Sequence, residues 1–167
     1  AHDHPDRVRK VALHEPIAWG VFQNAGPAEM QESFRQLRER FFPEPGLAVE
    51  VWLRKFVDYW NGEGAWDALS EKRQRTWRDR FVKIHHEVRH LCFDPYSIAH
   101  WSSVQTPILI TVSENATPEE AAACYLLEAH MGATQCVQTV GGHLAPMTHS
   151  AAVLPLLAAG IDANIPS

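Results

Sequence analysis

Apolar positions follow two patterns along this chain. Near both ends they gather in short runs bounded by proline and glycine. Between them they recur at the spacing of helices. Three short runs predict buried strands of a parallel sheet. The first is Val8–His14 (VRKVALH), closed by Glu15-Pro16. The second is Ile108–Val112 (ILITV), opened by Pro107 and followed by Ser113-Glu114-Asn115. The third is Gln135–Val140 (QCVQTV), closed by Gly141-Gly142.

Helices fill the intervals. Between the second and third runs, Thr117-Pro118-Glu119-Glu120 supplies an N-cap, a proline at N1 and acids in the first turn. That helix is expected to reach Met131, with Gly132 as its stop. A last helix over Ser150–Ala159 is expected to end at Gly160. Alternating strand and helix predicts parallel crossovers. Residues 22–105 carry almost no strand signal. They predict amphipathic helices over Ala28–Phe41, Leu47–Trp60 and Ser70–Phe93. The fold class is therefore α/β: a partial, three-stranded parallel sheet flanked by helices, with an inserted all-helical segment. Residues 1–21 and 106–167 form the sheet part and 22–105 the insertion, placed as a lid over the strands' C-terminal ends.

Composition narrows the function classes. With 167 residues, 46% hydrophobic and 21% charged, the chain can bury a real core. A formal net charge of −5 argues against nucleic acid or an anionic membrane surface as partner. No apolar run approaches the ~20 residues of a membrane span. The polar opening AHDHPDRVRK has no signal-peptide pattern. Cys92, Cys124 and Cys136 have no motif spacing and predict reduced thiols in a cytoplasmic setting.

Candidate chemistry sits at the strand ends. His143 follows Gly141-Gly142, which let the backbone turn tightly, so the ring is placed like a general base. Glu15 ends the first run and Glu114 follows the second; either carboxylate could orient an imidazole. No G-x-S-x-G occurs, and neither Ser102-Ser103 nor the cysteines are placed like a nucleophile.

His86-Glu87-Val88-Arg89-His90 matches H-E-x-x-H, a zinc-binding pattern with the glutamate as base. On a helix, Trp77, Phe81, Ile84, Val88 and Leu91 form an apolar stripe and the two histidines project away from it. The extended motif's glycine and third histidine are replaced by Phe93 and Tyr96. Neither a metal nor another cofactor is expected.

Four pieces in this order resemble the C-terminal half of an α/β-hydrolase. HPDRVRKVALHEP is similar to the end of the helix after the nucleophile elbow and the sixth strand. FVDYWNGEGAWDAL is similar to a lid segment of one bacterial branch. TPILITVSENATPEE is similar to the seventh strand and its exit, and GGHLAPMTHSAAVLPLLAAGI to the eighth strand, the catalytic-histidine loop and the last helix. The resemblance implies that His143 is the general base. Many members take their acid after the seventh strand, in a pattern like G-x-x-D. Here Ala116 stands in place of that Asp. A branch with E-P after the sixth strand takes it from there, which favours Glu15 over Glu114.

The resemblance also implies a small, apolar, ester-like substrate, with Trp52, Tyr59, Trp60 and Trp66 lining the acyl pocket. It puts the nucleophile and oxyanion hole upstream of residue 1, so that this chain alone is inactive. The open edge of the first strand would then pair with another chain. Two further readings are a non-catalytic hydrolase half that binds a ligand or partner chain, and, more remotely, a zinc protein using His86 and His90.

Overall fold

The computed structural model describes residues 1–162. The chain forms two compact units: Ala1–Gln31 together with the residues from Asp94 onward, and Glu32–Phe93. In chain order the elements are β1 (Val11–His14), a 3-10 turn (Trp19–Gln23), α1 (Ala28–Phe41), α2 (Val49–Asn61), α3 (Ala65–Ala68) and α4 (Glu71–Cys92). Then follow α5 (Ile98–Trp101), β2 (Ile108–Ser113), α6 (Pro118–His130), β3 (Thr134–Thr139), α7 (Ala145–Thr148) and α8 (Ser150–Asp162).

The first unit is built on a parallel sheet of order β1-β2-β3. Val11 lies opposite Ile108, and Ile108 opposite Thr134. This register shortens β1 to Val11–His14, three residues fewer than the Val8 start expected. Before Ile108 there is no β2 for residues 8–10 to pair with, and Val11 N–H donates to Pro107 O instead. Of the three strands expected to be buried, only β2 is buried throughout. It holds the centre of the sheet, whereas β1 and β3 form edges and stay half-open.

Each face of the sheet has its own cover. Ile110 pairs in register with Cys136, whose thiol donates to the Cys124 carbonyl of α6 at 3.4 Å. Leu109 points to the opposite face and meets α8 at Gly160. A Cβ on Gly160 would lie 2.4 Å from Leu109 Cδ2. Gly160 was expected to stop this helix, but α8 continues through it to Asp162. Its missing side chain serves close packing on β2.

The helical unit is Glu32–Phe93, narrower than the 22–105 expected. Residues 22–31 and 94–105 belong to the sheet unit because two short elements tie them there. Trp19, Val21 and Phe22 of the 3-10 turn are buried, and Gly20 lies so close to the Asp94 and Tyr96 carbonyls that a Cβ would fall 2.5 Å from the latter. In the helical unit, α2 packs against α3 and α4. Trp52 stacks on Phe56 with centroids 5.0 Å apart, and Phe81 meets its edge at 5.6 Å. Arg78 on α4 donates to both oxygens of Glu50 on α2, at 2.8 and 2.7 Å. Among the described residues no helix is long and apolar enough to cross a membrane.

Candidate active site

Three ionisable side chains converge where the strands end. Glu15 follows β1, Glu120 lies in the first turn of α6 after β2, and His143 sits beyond β3. One ligand-capable atom from each lies within 4.8 Å of the other two. All belong to the sheet unit.

Glu15 is held in an uncommon backbone state. Its φ is +43°, in the left-handed region that non-glycine residues avoid. The sheet imposes this: Glu15 N–H still bonds Thr111 O at 3.0 Å, and Pro16 follows at once. The turn swings a carboxylate only 1% exposed under the end of β2. Its Oε1 accepts the Ser113 N–H at 2.7 Å. Its Oε2 accepts from His143 Nδ1 at 3.1 Å. His14 Nε2 stands 3.9 Å from the same oxygen. Burial alone would raise the Glu15 carboxyl. The bonds from His143 and Ser113 and the nearby His14 outweigh it and hold the group below the ordinary carboxylate value.

Glu120 arrives by another route. Thr117 caps α6, accepting from Glu120 N, while Glu120 Oε2 accepts from Thr117 N–H at 3.1 Å and from its hydroxyl at 3.0 Å. This is a capping box. Sequence reasoning saw only the helix-start acids and missed what the box does to Glu120. With one oxygen fixed on the cap, the other, Oε1, is carried to 2.7 Å from His143 Nδ1. That oxygen makes no directed hydrogen bond, so it meets the ring as an ion-pair contact, whereas Glu15 takes the directed N–H. The signal lay in Thr117-x-x-Glu120 directly after a strand, which aims the N3 carboxylate back at the strand ends.

His143 has a side chain 31% exposed. The carboxylates of Glu120 and then Glu15 stabilise its charged form against burial and raise the imidazole to about 9. Gly141 makes this loop possible. Its φ is +89°, and a Cβ there would stand 2.8 Å from His149 Nδ1 and 3.0 Å from Ala145 Cβ. Gly141→Ala is therefore expected to destabilise the protein by about 1–3 kcal/mol through strain and crowding. Urea unfolding measures it, and an unchanged midpoint would refute the role given to this glycine.

The other expected residues lie elsewhere. Glu114 is exposed, and its Oε1 accepts Gly141 N–H at 3.3 Å, bracing the loop. Trp52 and Trp66 are buried in the helical unit at 1% exposure each. Tyr59 and Trp60 are half-buried, and Tyr59 lines a polar cleft with Arg40, Asp58 and Glu63. His86 and His90 are exposed on α4, and Glu87 pairs with Lys83 at 2.5 Å. Among the described residues they join no third ligand; the one cluster with metal-type donors is Glu15, Glu120 and His143. There the imidazole nitrogen itself fills the place between the carboxylates that a cation would take.

No family model and no curated protein matches this sequence. Solved structures do resemble it. An α/β hydrolase enzyme from a Medee basin deep-sea metagenome library aligns with TM-score 0.60 and 13% identity, over 99% of this chain and 60% of its own. The 2-hydroxy-6-oxo-6-phenylhexa-2,4-dienoate hydrolase from Rhodococcus sp. strain RHA1 aligns with TM-score 0.56 and 17% identity, over 97% of this chain and 58% of its own. The chain has the fold of these α/β hydrolases and spans about three fifths of their length. At such identities the likeness speaks for the fold alone.

Proposed function

We propose that this chain is the C-terminal portion of an α/β-hydrolase acting on an ester-like bond of a small apolar substrate. The observation that carries this is the Glu15–His143 hydrogen bond, formed at the strand ends of that fold. His143 takes the proton of a nucleophile, which attacks the ester carbonyl and forms an acyl intermediate. The same imidazole then gives its proton to the leaving group, and later deprotonates the water that releases the acid. Glu15 accepts the Nδ1–H, which leaves the Nε2 lone pair for these transfers.

The nucleophile belongs to residues outside these 167. The cysteines are poor candidates: burial pushes Cys92 and Cys136 up to about 12, and Cys124 higher still. Ser113 donates its hydroxyl to Gly142 O at 3.0 Å. Without nucleophile and oxyanion hole most of the rate is lost, so the 167-residue chain alone should not turn over esters.

Activated aryl esters test the reading on the whole protein that carries this chain. The neutral imidazole is the active form, and its charged form is favoured up to about pH 9. The rate kcat/KM should therefore rise about tenfold per pH unit below that value and level above it. Absence of turnover at any pH, or a rate falling from pH 7 to 9, would overturn the proposal.

A further inference from the structure

Two buried carboxylates meet one ring nitrogen here, although orienting an imidazole needs only one. We propose that Glu120 is a positioning residue for His143, a second counter-charge delivered by the cap of α6, while Glu15 takes the directed hydrogen bond. The inference rests on His143 being the base, and it adds a residue to that site.

Three observations support this division of roles. First, the two acids are held by independent anchors. Glu15 Oε1 is fixed by Ser113 N–H, and Glu120 Oε2 by Thr117 N–H and hydroxyl. Neither can swing away without leaving buried or part-buried donors unpaired. Second, the contacts differ in kind. Glu15 meets hydrogen-bond geometry with Nδ1 at 3.1 Å, whereas Glu120 is nearer, at 2.7 Å, and outside that geometry. A directed bond sets which nitrogen keeps the proton; an undirected charge favours the imidazolium over either neutral tautomer. Third, both acids are 1% exposed, so solvent screens their field little.

Few other titratable groups bear on the ring. His14 stands behind Glu15, and Glu114 braces Gly141 from the surface. His149, which follows α7, lies beside Gly141. The position of Glu120 thus ties the state of the ring to the start of α6. The consequence for chemistry is a trade. The second charge stabilises the imidazolium formed in the transition state, and it also moves the range in which the ring is neutral to higher pH.

Long-range 1H–15N NMR of the 167-residue chain reads the tautomer and titration of His143 directly, without any turnover. The expected wild-type midpoint is about 9. Glu120→Ala should lower it by about 1 pH unit or more while the neutral ring keeps its Nδ1–H. Thr117→Ala is the comparison: it removes the hydroxyl anchor but leaves the N–H anchor and the carboxylate, so it should move the midpoint clearly less than Glu120→Ala. Should Glu120→Ala fail to fold, Glu120→Gln preserves an N3 capping residue and reads the same charge. In the whole protein the rising limb of kcat/KM should shift to lower pH with Glu120→Ala, with a lower plateau. Equal shifts in Glu120→Ala and Thr117→Ala, or no shift in either, would show a merely structural cap. If the NMR shifts appear but His143→Ala leaves turnover intact, the proposed hydrolysis fails while the pairing stands.

Discussion

His143→Ala is expected to lower ester hydrolysis by the whole protein about 10⁴-fold in kcat/KM, and Glu15→Gln by about 10³–10⁴-fold. At roughly 1.4 kcal/mol per factor of ten, that is about 5 kcal/mol of transition-state stabilisation. The alanine variant removes the only group proposed to move the nucleophile's proton. The glutamine variant is the more instructive. Glu15 Oε1 accepts Ser113 N–H at 2.7 Å, so the glutamine carbonyl must keep that position. Its NH₂ group then faces His143 Nδ1, where Oε2 stood at 3.1 Å. Two donors cannot share that line. The ring answers by moving its proton to Nε2, and its base lone pair is then on the wrong nitrogen. The glutamine variant should keep its fold and substrate affinity while kcat falls. Steady-state kinetics on an activated ester measures both parameters, and a loss below tenfold for Glu15→Gln would remove Glu15 from the role given to it.

The second large effect concerns the helical unit. Trp52→Ala should destabilise it by about 3–5 kcal/mol. Trp52 is 1% exposed and sits among Phe41, Phe56, Phe81 and His85, with ring centroids between 5.0 and 6.0 Å. Removing the indole opens a cavity that those rings, each held by further aromatic contacts, cannot close. Trp52→Phe should lose far less. It keeps a stacked ring on Phe56 and discards an indole N–H that is buried without a hydrogen-bond partner. Denaturant unfolding followed by tryptophan fluorescence and circular dichroism distinguishes the two variants. Equal losses for Ala and Phe would mean that packing at this position is not what holds the unit.

Much of this molecule is legible in its sequence, for identifiable reasons. β2 was legible because ILITV is apolar on both faces, and α6 because Thr117-Pro118-Glu119-Glu120 marks its start unambiguously. His143 and Glu15 were expected near one another at the strand ends, and the structure brings them within hydrogen-bonding distance. What stayed hidden depended on contacts distant in sequence. The true start of β1 is set by where β2 begins, which residues 8–10 do not record. Gly160 carries the local signature of a helix stop, but its neighbour Leu109 gives it another purpose. The helical segment reads as 22–105 in the sequence while the compact unit is Glu32–Phe93, because the 3-10 turn and α5 are too short to leave a periodic trace. Glu120 was overlooked because a capping residue already has a sufficient local explanation.

The placement of the helical unit between β1 and β2 also bears on how the chain finds its fold. Val11 must pair with Ile108, and Glu15 must reach His143 across 128 positions of sequence. Closing so long a loop from a disordered chain is slow and entropically unfavourable. Residues Glu32–Phe93, however, form a compact body rich in contacts between neighbouring helices. If that body collapses first, the segment joining β1 to β2 behaves as a much shorter tether. The sheet can then assemble early enough to limit the time its strands spend unpaired. On this view the aromatic core around Trp52 serves assembly of the sheet as well as the stability of its own unit.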